Sequence, residues 1–268
     1  MTRRIMTVRL GCLLAVVLTT PLAALEWTLH EGVARGYPAL RDAGGKKIAD
    51  GDFVQWIEGD RLHVRISYAG RARRVEENAV FRLRPELIQD QWSFRELRDG
   101  KLYRQFTVDF KAGTATAKKA DEGEMKESSD EVKVDAGRAF AGFGFTLAAR
   151  ALRPRLVKGE HVELQAVGFT PKPKVVNVDL SYGGVDRIRM SDRSIRGERY
   201  IVHPKLPFVA DLFVNVPDAH IWLTSPEPAT FLRWEGPLAE PDDPLTRVDL
   251  LPGGVSGPAV PVAKTTRP

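Results

Sequence analysis

Only one cysteine, Cys12, occurs in this 268-residue chain, so no intrachain disulfide can staple the fold. Stability has to come from burial, and the roughly 244 residues beyond position 24 are ample for a large core. The apolar run Leu10 to Leu18, at about nine residues, is too short to span a bilayer. A strong excess of one charge is missing as well. The formal net charge is +5, and it falls to +2 once Arg3, Arg4 and Arg9 are set aside. Such a balance does not call for nucleic acid as a partner.

Those three arginines, the apolar run beside them and the small pair Ala23-Ala24 have the order of an export signal. Residues 1–24 are therefore expected to be removed, leaving a periplasmic or otherwise extracytoplasmic protein that starts near Leu25 and carries no transmembrane anchor. Arg9-Leu10-Gly11 precede Cys12 where a lipoprotein would have a small-residue box, which argues against lipidation.

Catalytic motifs are absent too. There is no G-x-S-x-G elbow, no H-E-x-x-H helix, no phosphate-cradling glycine loop and, past the signal, no thiol. No cofactor, no metal and no catalytic residue are assigned.

What the sequence does have is alternation. Leu62, Val64, Ile66 and Tyr68 are apolar, whereas Arg61, His63, Arg65 and Ser67 are polar. A period of two puts the two sets on opposite faces of a strand. The pattern returns in Val162, Leu164 and Ala166 and again in Val176, Val178, Leu180 and Tyr182. One wet and one buried face is the signature of antiparallel sheets. Turn signals divide the runs: Glu58-Gly59-Asp60, Asp99-Gly100, Lys111 to Gly113 and Gly183-Gly184. About ten to twelve strands are expected, closing with Arg199 to His203, His220 to Thr224 and Thr230 to Trp234. The fold class that follows is mainly β: a large curved antiparallel sheet or open barrel with one amphipathic helix packed on it.

That helix is expected over Phe140 to Ala151, where Phe140, Phe143, Leu147 and Ala151 recur at spacings of three and four and Pro154 stops the run. Gly142 and Gly144 would weaken it by about 1 kcal/mol each, unless they serve close approach to strands. Phe208 to Val216, bracketed by Pro207 and Pro217, reads as a helical turn or a crossing strand. Asp121 to Asp130 reads as a long exposed loop, since it has little to bury. Seven prolines from Pro237 to Pro268 indicate a disordered tail. The expected domain is therefore 25–236, between a signal peptide and a proline-rich tail.

Several small constellations have plain alternatives. His161 and Glu163, two apart on a polar strand face, could reach one metal ion, as could Asp218 and His220; exposed pairing and turn roles explain them more cheaply. Ser191, Asp192 and His203 contain the letters of a hydrolytic triad without a motif to bring them together. Arg71, Arg73 and Arg74, and Arg187, Arg189, Arg193, Arg196 and Arg199, read as solvated faces, with an anion site as the alternative. Trp56, Trp92, Trp222 and Trp234 fall in expected strands, where core packing is the ordinary role. With Phe140, Phe143 and Leu147 they are the candidate lining of a concave apolar cavity, the helix serving as plug or lid.

Phe140-Ala141-Gly142-Phe143-Gly144-Phe145, interrupting an exported antiparallel run, and the closing Ile221-Trp222-Leu223-Thr224 and Phe231-Leu232-Arg233-Trp234-Glu235 give an outline. It resembles bacterial secreted antiparallel-sheet families of unknown function. In layout it is also similar to the periplasmic lipoprotein carriers of the LolA and LolB type. The first resemblance implies a fold and an address; the second adds an apolar ligand held by a half-open barrel. The expectation is thus a non-catalytic envelope protein with a lipid-like ligand. A structural or interaction module with an envelope protein partner is the alternative, and an envelope hydrolase a weaker one. An outer-membrane barrel fits poorly, since the expected polar faces are rich in charge and no aromatic girdles are visible.

Overall fold

A computed structural model describes residues 25, 27, 32–170, 172–190, 193–205 and 216–252. The residues of the expected export signal, all of the stretch Phe208 to Val216 except its last residue, the Ser191-Asp192 pair and residues 253–268 lie outside this set.

Alternating side chains build a long meander of β1 (Ala34–Asp42), β2 (Lys47–Glu58), β3 (Arg61–Ala69), β4 (Arg73–Arg82), β5 (Ile88–Arg98), β6 (Lys101–Asp109), β7 (Thr114–Asp121) and β8 (Glu124–Glu131). A two-residue β9 (Ala139–Phe140) leads into the helix α1 (Gly144–Leu156). The chain then runs through β10 (Val162–Thr170), β11 (Lys172–Met190), β12 (Arg193–Lys205), β13 (Ala219–Thr224), β14 (Phe231–Pro237) and β15 (Leu245–Pro252). All belong to one sheet, in the order β8-β7-β6-β5-β4-β3-β2-β1-β15-β14-β13-β12-β11-β10-β9. Pairing is antiparallel throughout except between β9 and β10. The mainly β class is as the sequence indicates, with a single helix among the described residues.

The sheet does not close by hydrogen bonds, yet it curls until β7 and β8 lie against β11. Phe169 of β10 stacks on Phe106 of β6 with centroids 4.5 Å apart, and on Trp92 of β5 at 6.0 Å. Rings from strands distant in the sheet order thus meet across one interior. The alternating residues Leu62, Val64, Ile66 and Tyr68 are all buried there. Asp99 and Gly100 take positive φ values of 49° and 77°, the conformation a two-residue hairpin turn needs.

Four local expectations are corrected. Gly183-Gly184 does not end a strand: β11 runs through it for 19 residues, with a register shift between Tyr182 and Gly184. Gly184, at φ 104°, supplies a bulge that bends the long hairpin instead of turning it. The acidic stretch from Asp121 is likewise not a loop, because β8 pairs along its whole length with β7. One side of its backbone is satisfied by the ladder, and an exposed, charged edge strand resists further pairing on the other.

The helix is displaced along the chain. Phe140 belongs to β9, Phe143 is the cap, and α1 passes through Pro154 to Leu156. An internal proline costs about 3 kcal/mol. Here buried Leu152 and Leu156 flank it, and Arg153 forks onto Glu198 of β12 with bonds of 2.6 and 2.7 Å, contacts that offset that cost in kind. Finally, the disordered tail does not begin at Pro237. Leu245–Pro252 forms β15, paired with β1 on one side and β14 on the other.

Candidate functional site

The polypeptide between β9 and α1 is pinned to the inner face of the sheet by two side chains from neighbouring strands. Gln89 of β5 treats Ala141 as a backbone partner: its Oε1 accepts the Ala141 N–H at 2.8 Å and its Nε2 donates to the Ala141 carbonyl at 3.2 Å. Glu77 of β4 accepts two bonds on Oε1, from the Phe143 N–H at 2.7 Å and from Trp92 Nε1 at 3.0 Å. α1 has no cap from its own flanking side chain. Glu77 therefore supplies from a strand the acceptor that the unpaired N–H groups of a helix start need.

Glycines make that approach possible. A Cβ on Gly142, which sits at φ 51°, would collide with Glu77 Oε1 and Trp92 Nε1, and one on Gly144 would collide with Gln89 Oε1. Neither glycine weakens the helix interior, because Gly142 precedes the helix and Gly144 opens it.

Against this clamp lies a cavity of about 60 Å3, with Tyr68, Glu77, Phe143, Thr146, Phe231 and Trp234 in its wall. It has room for a water molecule or two, or for a short apolar group. Glu77 keeps some accessible surface because it faces this space. Burial pushes its carboxyl above the usual carboxylate range, and the bonds from Phe143 and Trp92 only partly oppose this. Tyr68 is pushed well above its ordinary value, first by burial and then by the charge of Glu77. Among the described residues, no group donates to Glu77 Oε2.

The seven candidates named from sequence divide. Phe143 and Trp234 reach the cavity wall, and Trp92 reaches it through Glu77. Phe140 and Leu147 are fully buried in the surrounding core. Trp56 and Trp222 are elsewhere: Trp56 stacks on His63, its cross-strand neighbour, and Trp222 packs with Ile188, Met190 and Leu232 in a separate small core.

The histidine constellations resolve into pairs. His161 Nδ1 lies 2.7 Å from Asp179, Glu163 takes Lys205, and His203 Nδ1 lies 2.7 Å from Asp218. No group of three or more metal-ligating side chains occurs among the described residues.

A second set of inward charges was not foreseen. Arg104, 1% exposed, bonds Glu96 at 2.8 Å, Glu240 at 2.5 Å and Asp243 through a two-pronged fork at 2.8 Å each. Arg73 and Arg98 also reach Glu96, and Lys119 reaches Glu240. Burial opposes ionisation of Glu96 and Asp243, yet their arginine partners hold both below the usual range. This network ties the segment between β14 and β15 to β5 and β6. A signal for these residues does exist: Glu77 stands in the apolar register of Val75, Ala79 and Phe81, and Glu96 in that of Trp92 and Phe94.

Compared with protein families, with curated proteins and with solved structures, the chain has no match. Its function has to be argued from its own residues.

Proposed function

We propose that the protein is a non-catalytic component of the cell envelope that holds an apolar or amphipathic group at the cavity under the start of α1. The observation that carries this is the make-up of the cavity wall: aromatic and aliphatic side chains with three that carry polar groups, Glu77, Tyr68 and Thr146. Apolar concavities with a few placed polar groups are the common form of small-molecule sites. Its size selects the ligand. About 60 Å3 takes a short alkyl or aromatic tip, while a full acyl chain needs the helix start to move away from the sheet. The arginine front and apolar run of residues 1–24 support the exported address in this reading.

The test is native mass spectrometry and solvent extraction of protein purified from the envelope, with titration of a fluorescent fatty-acid probe. A co-purifying molecule, or probe binding that weakens in Trp234→Ala, is expected. Protein that carries nothing and binds no probe overturns the reading.

A second reading, a structural or interaction module, is favoured by the filled remainder of the interior, where Phe94, Phe106, Phe140 and Phe169 are each buried to 2% exposure or less. It predicts a protein partner in pull-downs from the envelope and no extractable ligand.

A further inference from the structure

On the outer face of the sheet, Arg41 of β1, Arg189 of β11, Arg233 of β14 and Arg247 of β15 line one open depression of about 180 Å3 together with Asp249. This face is independent of the interior cavity, because Arg247 and Asp249 alternate with Thr246, Val248 and Leu250, and Val248 lines the inner site. The sequence brings the four together only through the sheet. β15 lies between β1 and β14, and the bulged end of β11 curls over the outer surface so that Ile188 and Met190 pack on Trp222 and Leu232.

Two carboxylates organise the cluster without balancing it. Asp249 accepts Arg41 Nε at 3.0 Å and Arg233 Nε at 2.6 Å, and Glu235 accepts Arg247 Nε at 2.6 Å. Arg41 Nη1 is spent on the Gly45 carbonyl. Arg189 is exposed and has no acid partner among the described residues. Four guanidinium groups against two carboxylates leave a surplus of two positive charges. The acids engage the Nε edges, with Glu235 also 3.7 Å from Arg233 Nη1, so that among the described residues the Nη groups of Arg233 and Arg247 have no hydrogen-bond acceptor.

We infer that this depression binds a phosphate group. Guanidinium forks held in place by carboxylates match a tetrahedral oxyanion with several charge-assisted hydrogen bonds, and a dianion would neutralise the surplus. Asp249, the acid in the wall, is itself covered by Arg41 and Arg233 and does not repel the ligand with an unshielded charge. Arg189, near the hairpin end, adds a fourth guanidinium to the same lining.

Calorimetric titration of inorganic phosphate into the purified chain at low ionic strength tests this. Binding is expected, weakening as salt is raised. Arg189→Glu, at an exposed position with no acid partner among the described residues, is expected to weaken it about tenfold or more, the scale of one lost charge-assisted bond. Arg189→Lys retains most of it. Flotation with phosphatidylcholine vesicles, with and without phosphatidic acid, separates the sources. Co-flotation only with phosphatidic acid assigns the phosphate to a lipid headgroup, and phosphate binding without co-flotation assigns it to a soluble phosphate. No binding of either probe by the folded chain, or binding that Arg189→Glu and Arg247→Gln leave unchanged, overturns the proposal.

Discussion

The Glu77 carboxylate accepts the backbone N–H of Phe143 at 2.7 Å, across 66 positions of sequence. This one bond joins the fourth strand to the start of the only helix among the described residues, and it does so with an acid that burial disfavours as an anion. The raised folded value sets the sign of its pH dependence. Protonated Glu77 suits the folded state, so its contribution to stability is fully present below the unfolded glutamate value of about 4.3 and is lost as pH rises through the raised folded value. Glu77→Gln keeps an acceptor for Phe143 and Trp92 without the charge. Melting curves across pH should show the variant more stable than the parent at neutral pH and the difference vanishing in acid. A variant that is less stable at every pH would show that the charge itself is needed at the helix start.

Gly142→Ala should destabilise by about 2–5 kcal/mol, because left-handed strain adds to a collision with the Glu77 and Trp92 side chains. Gly59→Ala is the control. Its φ of 63° is similar, but a Cβ there meets nothing within 4 Å, so it should cost only about 1 kcal/mol. Equal losses in denaturant titrations of the two variants would rule out the close approach as the cause.

Arg104→Met should cost about 3–5 kcal/mol at neutral pH, since among the described residues it leaves buried Asp243 without a cation and takes the shared one from Glu96 and Glu240, which keep Arg73, Arg98 and Lys119. The carboxylates of Glu96 and Asp243 are held low in the folded state. Their stabilisation is therefore present above the unfolded values of about 4 and lost as pH falls through the folded ones. The deficit of the variant, followed by urea unfolding, should shrink on acidification, opposite in direction to the Glu77 effect.

Leu232→Ala should cost about 2–5 kcal/mol. Leu232 is fully buried under the curled end of the β11–β12 hairpin, beside Trp222, whose indole N–H donates to Asp186 at 2.8 Å. A red shift in tryptophan emission is expected along with the stability loss. An unchanged melting curve would mean that the hairpin end does not pack there.

Strands with a clean alternation were legible, as Leu62 to Tyr68 in β3 illustrates. What was not legible is where a polar residue stands in an apolar register. In β4 the inward series runs Val75, Glu77, Ala79, Phe81, and a glutamate there reads as an interruption until its partners, 15 and 66 positions away, are in place. Glycine was ambiguous for the same reason: a Gly-Gly pair bends β11 as readily as it would end it. Proline misled twice, since neither Pro154 nor the prolines after Gly236 prevented a helix turn and a strand that gain their stability from distant contacts. Trp234 and Trp222 are one residue apart in cross-strand register yet on opposite faces, and composition alone cannot say which of the two meets the interior.

The place of β15 between β1 and β14 makes the sheet a zip with its slider near one end of the chain. Two meanders, one counted outward from β1 and one from β14, share no ladder until Leu245–Pro252 docks between them. In a polypeptide emerging N-terminus first, side-chain contacts alone can therefore hold the two parts together until the final described strand arrives and joins their ladders.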